Sequence, residues 1–155
     1  MNGNPKIIET LNSLLADELT AINQYMVHSE MCSNWGYDKL HKADEKRAID
    51  EMKHAERLIA RILFLDGIPV VSKLKKIVIG SEVAAQHKND LNSEIEAIAL
   101  YNNSIKLSGE IGDNGTRELL ESILKDEEGH LDWLDAQITQ ISQMGIQNYL
   151  ADQLR

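Results

Sequence analysis

The sequence has little of the residues that build disulfide-linked, turn-rich or membrane-spanning proteins. Its single cysteine, Cys32, cannot form an internal disulfide, and its 155 residues include only two prolines and nine glycines. Aromatic residues make up 5% of the chain, and this composition disfavours turn-rich β architectures. No run approaches the roughly 18 apolar residues that span a bilayer, and the N-terminus lacks the apolar stretch of a secretory signal. We therefore expect a soluble, cytoplasmic protein.

Positive charge is also scarce. Twenty-five acidic residues against 16 lysines and arginines give a formal charge of -9. This sign is wrong for binding nucleic acid backbones or anionic lipid surfaces, and it favours cations as partners. The length predicts one domain, 1–155, with a core large enough to be stable without disulfides.

Apolar residues recur at three- and four-residue steps in four long segments, which predicts four helices. We expect these helices at about 5–34, 40–65, 82–111 and 116–143, with a short tail helix near 147–154. Pro5 suits a first helical turn, and Asp38 is a candidate cap for the second helix. Tight turns at Gly36 and at 112–115 predict two antiparallel hairpins.

The connection between the second and third helices is much longer than these turns. It runs from Asp66 to about Ser81 and includes a short extended-looking stretch, 76–80. Such a length suits a crossover along a bundle rather than a tight turn. The predicted fold class is therefore all-α, a ferritin-like antiparallel four-helix bundle with a long crossover and a short C-terminal fifth helix.

Acidic residues occupy positions on all four helices where the apolar periodicity demands a core residue. Glu18 stands between Leu15 and Ile22, and Glu94 stands between Leu91 and Ile98. The other two helices each carry a Glu-x-x-His pair that leads into apolar positions. The candidate ligands are Glu18, Glu51, His54, Glu94, Glu127 and His130.

The two halves of the chain repeat this pattern with a constant shift of 76 residues. The shift relates Glu18 to Glu94, and it relates the pair at 51 and 54 to the pair at 127 and 130. It also places Tyr25 on Tyr101 and Asp50 on Asp126. We infer a pseudo-two-fold site to which each half contributes one Glu and one Glu-x-x-His pair, whose side chains converge because they lie three residues apart on a helix.

Four carboxylates in a dry interior need neutralising charge, and no matching group of core-facing lysines or arginines accompanies them. Two divalent cations cancel four negative charges. Oxygen-rich ligands with two imidazoles suit iron or manganese, and the lack of thiolates argues against structural zinc. The pattern matches the ferritin-like di-metal signature. Glu51 and Glu127 are predicted to bridge the metals, with Glu18 and Glu94 as terminal ligands.

Four further residues are predicted to lie just outside the ligands. Tyr25 and Tyr101 follow the terminal glutamates on their helices and can hydrogen-bond a ligand, although ordinary core tyrosines are an alternative. Asp50 and Asp126 precede the bridging glutamates and can orient the site or guide cations, although solvated surface positions are an alternative.

Several segments resemble the bacterioferritin family across essentially the whole chain. They are LTAINQY at 19–25, IDEMKHA at 49–55, RILFLDG at 61–67, DEEGHLDWL at 126–134 and MGIQNYL at 144–150. The resemblance implies a shell of 24 subunits built from two-fold dimers, oxidation of Fe²⁺ by O₂ or H₂O₂ at an intrasubunit di-iron centre, and storage of ferric mineral. It carries the same six ligands over, and it implies a ferredoxin-type reductant as a possible partner for iron release.

The resemblance also implies a haem b that two subunits share. Met52 matches the axial ligand, and its side chain projects about 100° away from that of Glu51, so it can face a neighbour. The residues matching the haem pocket are Ile22, Asn23, Met26, Trp35 and Lys53. The chain departs from the family at Glu45 and Lys46, where a Tyr and a His are common, and at Met26, where an aromatic is frequent.

Three alternatives to a ferroxidase and iron store are considered at this stage. A rubrerythrin-type peroxidase needs an iron–sulfur module, which one cysteine cannot build. A carrier of haem or metal ions would bind without turnover. A mini-ferritin would place its metal between subunits. We expect Cys32 to be a small core filler, and His28, His41 and His87 to be ordinary surface or interface groups.

Overall fold

The computed structural model describes residues 1–154 and contains five helices. Four of them are long, and the fifth is a single short segment after a break at Gly145. Their bounds are Pro5–Trp35 for α1, Asp38–Phe64 for α2, Val83–Ile111 for α3, Asn114–Met144 for α4 and Ile146–Ala151 for α5. The described residues contain no strand. The all-α prediction with four long helices and a short fifth is confirmed.

Local chemistry explains most of the helix ends. The side chain of Asn4 accepts a hydrogen bond from the backbone N–H of Lys6, and Pro5 occupies the first turn of α1. Helices α1 and α3 end at Gly36 and Gly112, both in the left-handed region with φ of 83° and 86°, where glycine has no steric penalty.

Three predicted helix boundaries differ from the structure by a few residues. Asp38 is not the cap of α2 but its first residue, and Tyr37 occupies the cap position without a side-chain hydrogen bond. Helix α4 begins at Asn114, because Asp113 accepts a hydrogen bond from the backbone N–H of Thr116 and caps the helix there. The tail helix is shorter than expected and ends at Ala151.

The four long helices form a bundle in which α1 pairs with α2 and α3 pairs with α4. The two hairpins meet where α1 contacts α3 and where α2 contacts α4. We call these two lines of contact the α1–α3 seam and the α2–α4 seam. They therefore lie on opposite sides of the bundle, and side chains that point inward from all four helices meet between them.

The crossover between α2 and α3 is tied to α1 by polar side chains. Asn12, Thr20 and Gln24 accept hydrogen bonds from the backbone N–H groups of Val70, Lys75 and Val78. The extended-looking stretch 76–80 therefore finds its backbone partners on helix side chains rather than on a strand. These hydrogen bonds hold the crossover against α1, on one side of the bundle.

Two of the three histidines expected to be surface or interface groups are instead buried within the subunit. His28 accepts a hydrogen bond from the backbone N–H of Gly80 at Nε2 and contacts Asp90 through Nδ1 at 3.0 Å. His87 lies against the hydroxyl of Tyr149 at 3.0 Å. Cys32 lies with Tyr149 in a small apolar cluster beneath α5, in agreement with its expected role as a filler.

Candidate metal centre

Six side chains from four helices converge in the middle of the bundle, and they are the six expected from the sequence. Each is buried. They form two overlapping groups, and within each group one ligand atom from every member lies within 4.8 Å of the others. The first group is Glu18, Glu51, His54 and Glu127, and the second is Glu51, Glu94, Glu127 and His130.

Glu51 and Glu127, the two residues predicted to bridge the metals, are common to both groups. The two oxygens of Glu127 divide between the histidines, with Oε1 3.0 Å from Nδ1 of His54 and Oε2 3.7 Å from Nδ1 of His130. Glu51 does the same, with Oε1 3.0 Å from His130 and Oε2 3.8 Å from His54. Each group thus has one histidine, one unshared glutamate and two shared carboxylates.

Each of the six side chains presents one buried polar atom that has no hydrogen-bond partner among the described residues. These atoms are Glu18 Oε2, Glu51 Oε1, His54 Nδ1, Glu94 Oε2, Glu127 Oε1 and His130 Nδ1. Two pairs of these atoms, His54 Nδ1 with Glu127 Oε1 and His130 Nδ1 with Glu51 Oε1, lie 3.0 Å apart but without hydrogen-bond geometry. Leaving a buried polar group unpaired costs about 1–3 kcal/mol, so the arrangement is unfavourable without a bound cation or proton. The donor set of four carboxylates and two imidazoles fits two divalent cations of the iron or manganese type.

The two tyrosines expected near the site hydrogen-bond the unshared glutamates across the bundle. The hydroxyl of Tyr25 on α1 donates to Oε1 of Glu94 on α3 at 2.7 Å. The hydroxyl of Tyr101 on α3 donates to Oε1 of Glu18 on α1 at 2.5 Å. Both tyrosines are buried. Each donor holds Oε1 of its carboxylate, and the other oxygen, Oε2, is buried without a hydrogen-bond partner.

Asp50 and Asp126 each contact a histidine from the other half of the chain. Nε2 of His54 lies 3.0 Å from Oδ2 of Asp126, and Nε2 of His130 lies 3.5 Å from Oδ2 of Asp50. A carboxylate at Nε2 favours the tautomer with its proton there, so the lone pair of Nδ1 points into the centre.

Burial and neighbouring charges shift the pKa values of three carboxylates in the centre. Burial and the charge of Glu18 raise the pKa of Glu51 well above its usual range. Burial and the contact with Glu127 raise the pKa of Glu94 to about 8. For Glu127 burial acts in the same direction, but contacts with Glu94, His130 and His54 outweigh it and hold the pKa well below its usual range.

The histidines show the complementary behaviour. Burial disfavours the charged imidazole of His54, but the carboxylates of Glu127 and Glu18 outweigh burial and raise its pKa to about 10. The pKa of His130 is raised in the same way by Glu127 and Glu94 against the effect of burial. Protons therefore compete with cations for these side chains.

A recess of about 310 Å³ opens on the α1–α3 seam and reaches the centre. We call it the acidic recess. Its carboxylates are Asp17, Glu18, Glu51, Glu94, Glu96 and Glu127, and its basic residues are Lys75 and Lys76 from the crossover. Nζ of Lys75 lies 2.6 Å from Oδ1 of Asp17. Sequence patterns did not identify this ion pair, because the crossover has no periodicity that places it beside α1.

The residues matched to a haem pocket do not all lie together. Asn23, Met26 and Trp35 line one surface recess of about 650 Å³ on α1. Met52 is exposed on α2 and is not part of that lining, and Lys53 lines a recess on the α2–α4 seam instead. Ile22 is partly buried and packs against the main core.

A third group of possible ligands was missed. His41 lies 3.8 Å from Glu45 one turn later, and Glu30 on α1 approaches them closely enough to form a group of three. The spacing of His41 and Glu45 was a usable signal, since residues four apart on a helix are neighbours. Glu30 and Glu45 are exposed, unlike the ligands of the central site.

Comparison with known proteins agrees with the geometry of the centre. The family model of the ferritin-like domain matches residues 8–144. The chain belongs to the ferritin family. A bacterioferritin of Rhodobacter capsulatus is 41% identical over 149 residues, covering 96% of this chain and 92% of the relative. Bacterioferritins of Mycolicibacterium paratuberculosis and Brucella melitensis are 40% and 38% identical, covering 97% and 96% of this chain and 95% and 92% of the relatives.

The resemblance to bacterioferritins seen in the sequence is therefore confirmed, and so is the ferritin-like fold. Family membership supports a role in iron storage, and the carboxylate and histidine groups are able to hold metal ions. No helix among residues 1–154 is both long and apolar enough to cross a membrane.

Proposed function

We propose that this member of the ferritin family is an iron-storage protein with ferroxidase activity. It oxidises Fe²⁺ to Fe³⁺ with O₂ or H₂O₂ at a di-iron centre inside each subunit and stores ferric mineral in a shell of 24 subunits. The single observation that carries the proposal is the set of six buried atoms without hydrogen-bond partners, one on each of the six converging side chains.

In this proposal two iron ions would be held by Glu51 and Glu127 together, with Glu18 and His54 holding one ion and Glu94 and His130 holding the other. Iron supplies the redox chemistry, since two ferrous ions together provide two electrons to the oxidant. The protein contributes four negative charges that match two divalent cations, and a dry interior in which those charges act strongly.

The surrounding residues position the ligands. Tyr25 and Tyr101 restrain the carboxylates of Glu94 and Glu18, and Asp50 and Asp126 orient the two imidazoles. Because each of these residues acts on a ligand from the other half of the chain, the two halves stabilise one centre together. Such partners of ligands raise metal affinity and preserve geometry.

The acidic recess is the proposed entry for Fe²⁺. It joins the surface at the α1–α3 seam to four of the six ligands, and its carboxylates attract cations. Lys75 neutralises Asp17 at this recess and reduces the local negative charge.

A haem b shared by two subunits is the second proposed cofactor, and the thioether of Met52 would hold its iron. Met52 is 44% exposed, as is expected for a residue that binds across a subunit interface, and Ile49 and Met26 are exposed apolar residues on the same hairpin. Ile22, Asn23, Trp35 and Lys53 are the other proposed contacts. Apolar residues exposed in this way are typical of an interaction surface.

The deciding experiment is stopped-flow absorbance after addition of Fe²⁺ to iron-free protein. A ferroxidase and store continues to take up iron after the first two ions per subunit, whereas a carrier saturates and stops. Glu18→Ala should abolish the fast phase, and an unchanged initial rate in that variant would contradict the assignment of the centre.

Size-exclusion chromatography with an iron count and a visible spectrum on the same fraction tests the shell and the haem. A very large, iron-rich particle with a Soret band is expected. A species near 20 kDa that holds two metal ions would contradict the proposed storage function. A large particle without a Soret band would contradict the proposed haem but not the proposed shell.

A further inference from the structure

A second recess, of about 540 Å³, opens on the α2–α4 seam, on the side of the bundle opposite the acidic recess. We call it the basic recess. His54 and His130 of the metal centre are part of its lining. Its cationic residues are Lys46, Arg47, Lys53, Arg57 and Lys125.

Positive charge is concentrated here in a chain that is acidic overall. Five of the 16 lysines and arginines line the basic recess, together with only two of the 25 acidic residues, Asp50 and Asp126. The sign of the local charge is thus opposite to that of the whole chain and to that of the acidic recess. A recess with this charge repels Fe²⁺ and attracts anions.

The two aspartates already have partners and do not neutralise the other cations. Asp126 lies 3.0 Å from Nε2 of His54, and Asp50 lies 3.2 Å from Nζ of Lys46. Within residues 1–154, the remaining four cations of the recess have no carboxylate within 4.0 Å. Their charge is therefore available to an added anion.

Two of the cations are arginines whose guanidinium groups are held by neighbouring side chains. Arg47 lies 5.5 Å from the ring centre of Trp133 and 5.8 Å from that of Tyr25. Arg57 donates to the hydroxyl of Ser122 across the seam. A guanidinium that is already positioned loses little freedom on binding, and its planar fork matches two oxygens of a tetrahedral oxyanion.

We propose that the basic recess binds a tetrahedral inorganic oxyanion, with phosphate as the ligand. The bound anion lies beside the two histidines, on the far side of the centre from the acidic recess. The proposal does not depend on ferroxidase activity, because the binding can be measured in protein that contains no iron.

The test is isothermal titration of the iron-free, assembled protein with inorganic phosphate, repeated by ³¹P NMR. The variant Arg57→Gln with Lys125→Gln removes two cations from the recess. The control, Lys88→Gln with Lys106→Gln, removes two exposed lysines of α3 and changes the net charge equally. Saturable binding is expected for the wild type and the control, with affinity at least about tenfold lower in the first variant.

A second variant keeps the test decisive if the double variant folds poorly. A Cβ atom built on Gly129 contacts nothing within 4 Å, so Gly129→Asp places a carboxylate in the recess without a clash, and Gly129→Ala is its control. We expect Gly129→Asp to abolish phosphate binding and Gly129→Ala to preserve it. Sulfate should compete, whereas chloride at equal ionic strength should not.

Three results would overturn the proposal. The first is the absence of saturable binding to the wild type. The second is an equal loss of affinity in the recess variant and in the α3 control, which would indicate a general charge effect. The third is unchanged binding in Gly129→Asp.

Discussion

The hydroxyl of Tyr25 on α1 donates a hydrogen bond to Oε1 of Glu94 on α3, with 2.7 Å between the two oxygens. Its counterpart 76 residues later, Tyr101, donates to Glu18 in the opposite direction. The two bonds cross between the hairpins, so each half of the chain positions a ligand that belongs to the other half. Separating the hairpins would disturb both proposed metal sites at once.

Removing one of these hydroxyls should weaken metal binding without removing a ligand. In Tyr25→Phe the carboxylate of Glu94 loses its donor and gains freedom, so we expect about tenfold weaker binding of Co²⁺ or Zn²⁺ at one site. Titration calorimetry of the iron-free protein measures this. Tyr149→Phe is the matched control, because Tyr149 is also buried but contacts His87 and Gln137 instead. Equal affinities for Tyr25→Phe and the wild type would contradict the positioning role.

Metal binding should release protons at neutral pH. His54 has a pKa of about 10 and Glu94 a pKa of about 8, so both carry a proton at pH 7 in metal-free protein. Binding requires the deprotonated forms, so loading both sites should release about two or more protons and apparent affinity should fall as pH falls. Calorimetry in buffers of different ionisation enthalpy counts the protons. Affinity independent of pH between 6 and 8 would argue against this account.

The ion pair between Lys75 and Asp17 should slow the entry of cations. Lys75→Gln leaves the Asp17 carboxylate without its counter-charge, so we expect cation association to be about threefold faster, and Asp17→Asn should slow it. Stopped-flow mixing with Co²⁺ at low ionic strength measures the rate. Lys76→Gln is the control, since Lys76 lines the same recess without a carboxylate partner among residues 1–154. The same acceleration in both lysine variants would show that the pair itself has no special effect.

Burial of His87 should make stability depend on pH. Burial lowers the pKa of His87 to about 4, whereas in the unfolded chain it titrates near 6.5. The contribution is therefore fully present above pH 6.5 and is lost as pH falls toward 4, by about 2 kcal/mol at pH 5. Urea unfolding of the wild type and His87→Gln at pH 7.5 and pH 5 measures the difference. The variant should lose less stability on acidification, and an equal loss would exclude His87 as the cause.

Sequence patterns predicted most helices and the six converging residues, but not every helix cap. The periodicity of apolar residues predicted the four long helices, because the helical repeat is a local property of the chain. The six residues that converge in the centre were identified because each interrupts an apolar stripe. The assignment of Asp38 as a cap was wrong because an aspartate is equally acceptable in the first turn of a helix.

Other errors came from partners that are distant in the sequence. His28 and His87 were expected to be surface or interface groups because no partner at metal-ligand spacing was recognised within their helices. Their partners, Asp90 and Tyr149, lie 62 residues away along the chain, and a pattern within one helix carries no information about them. Lys53, which the resemblance matched to the haem pocket, lines the basic recess, and its role at a haem stays a prediction.

The amino-acid sequence by itself determined the helices, the pairing into hairpins and the identity of the six inward-facing side chains, since each depends on spacing along one helix or on the length of one connection. Only the tertiary structure decided that tyrosines and aspartates cross between the halves, and that acidic and basic recesses face opposite sides of one centre. These features depend on which seams the four helices form, and that choice is made by packing between segments far apart in the chain.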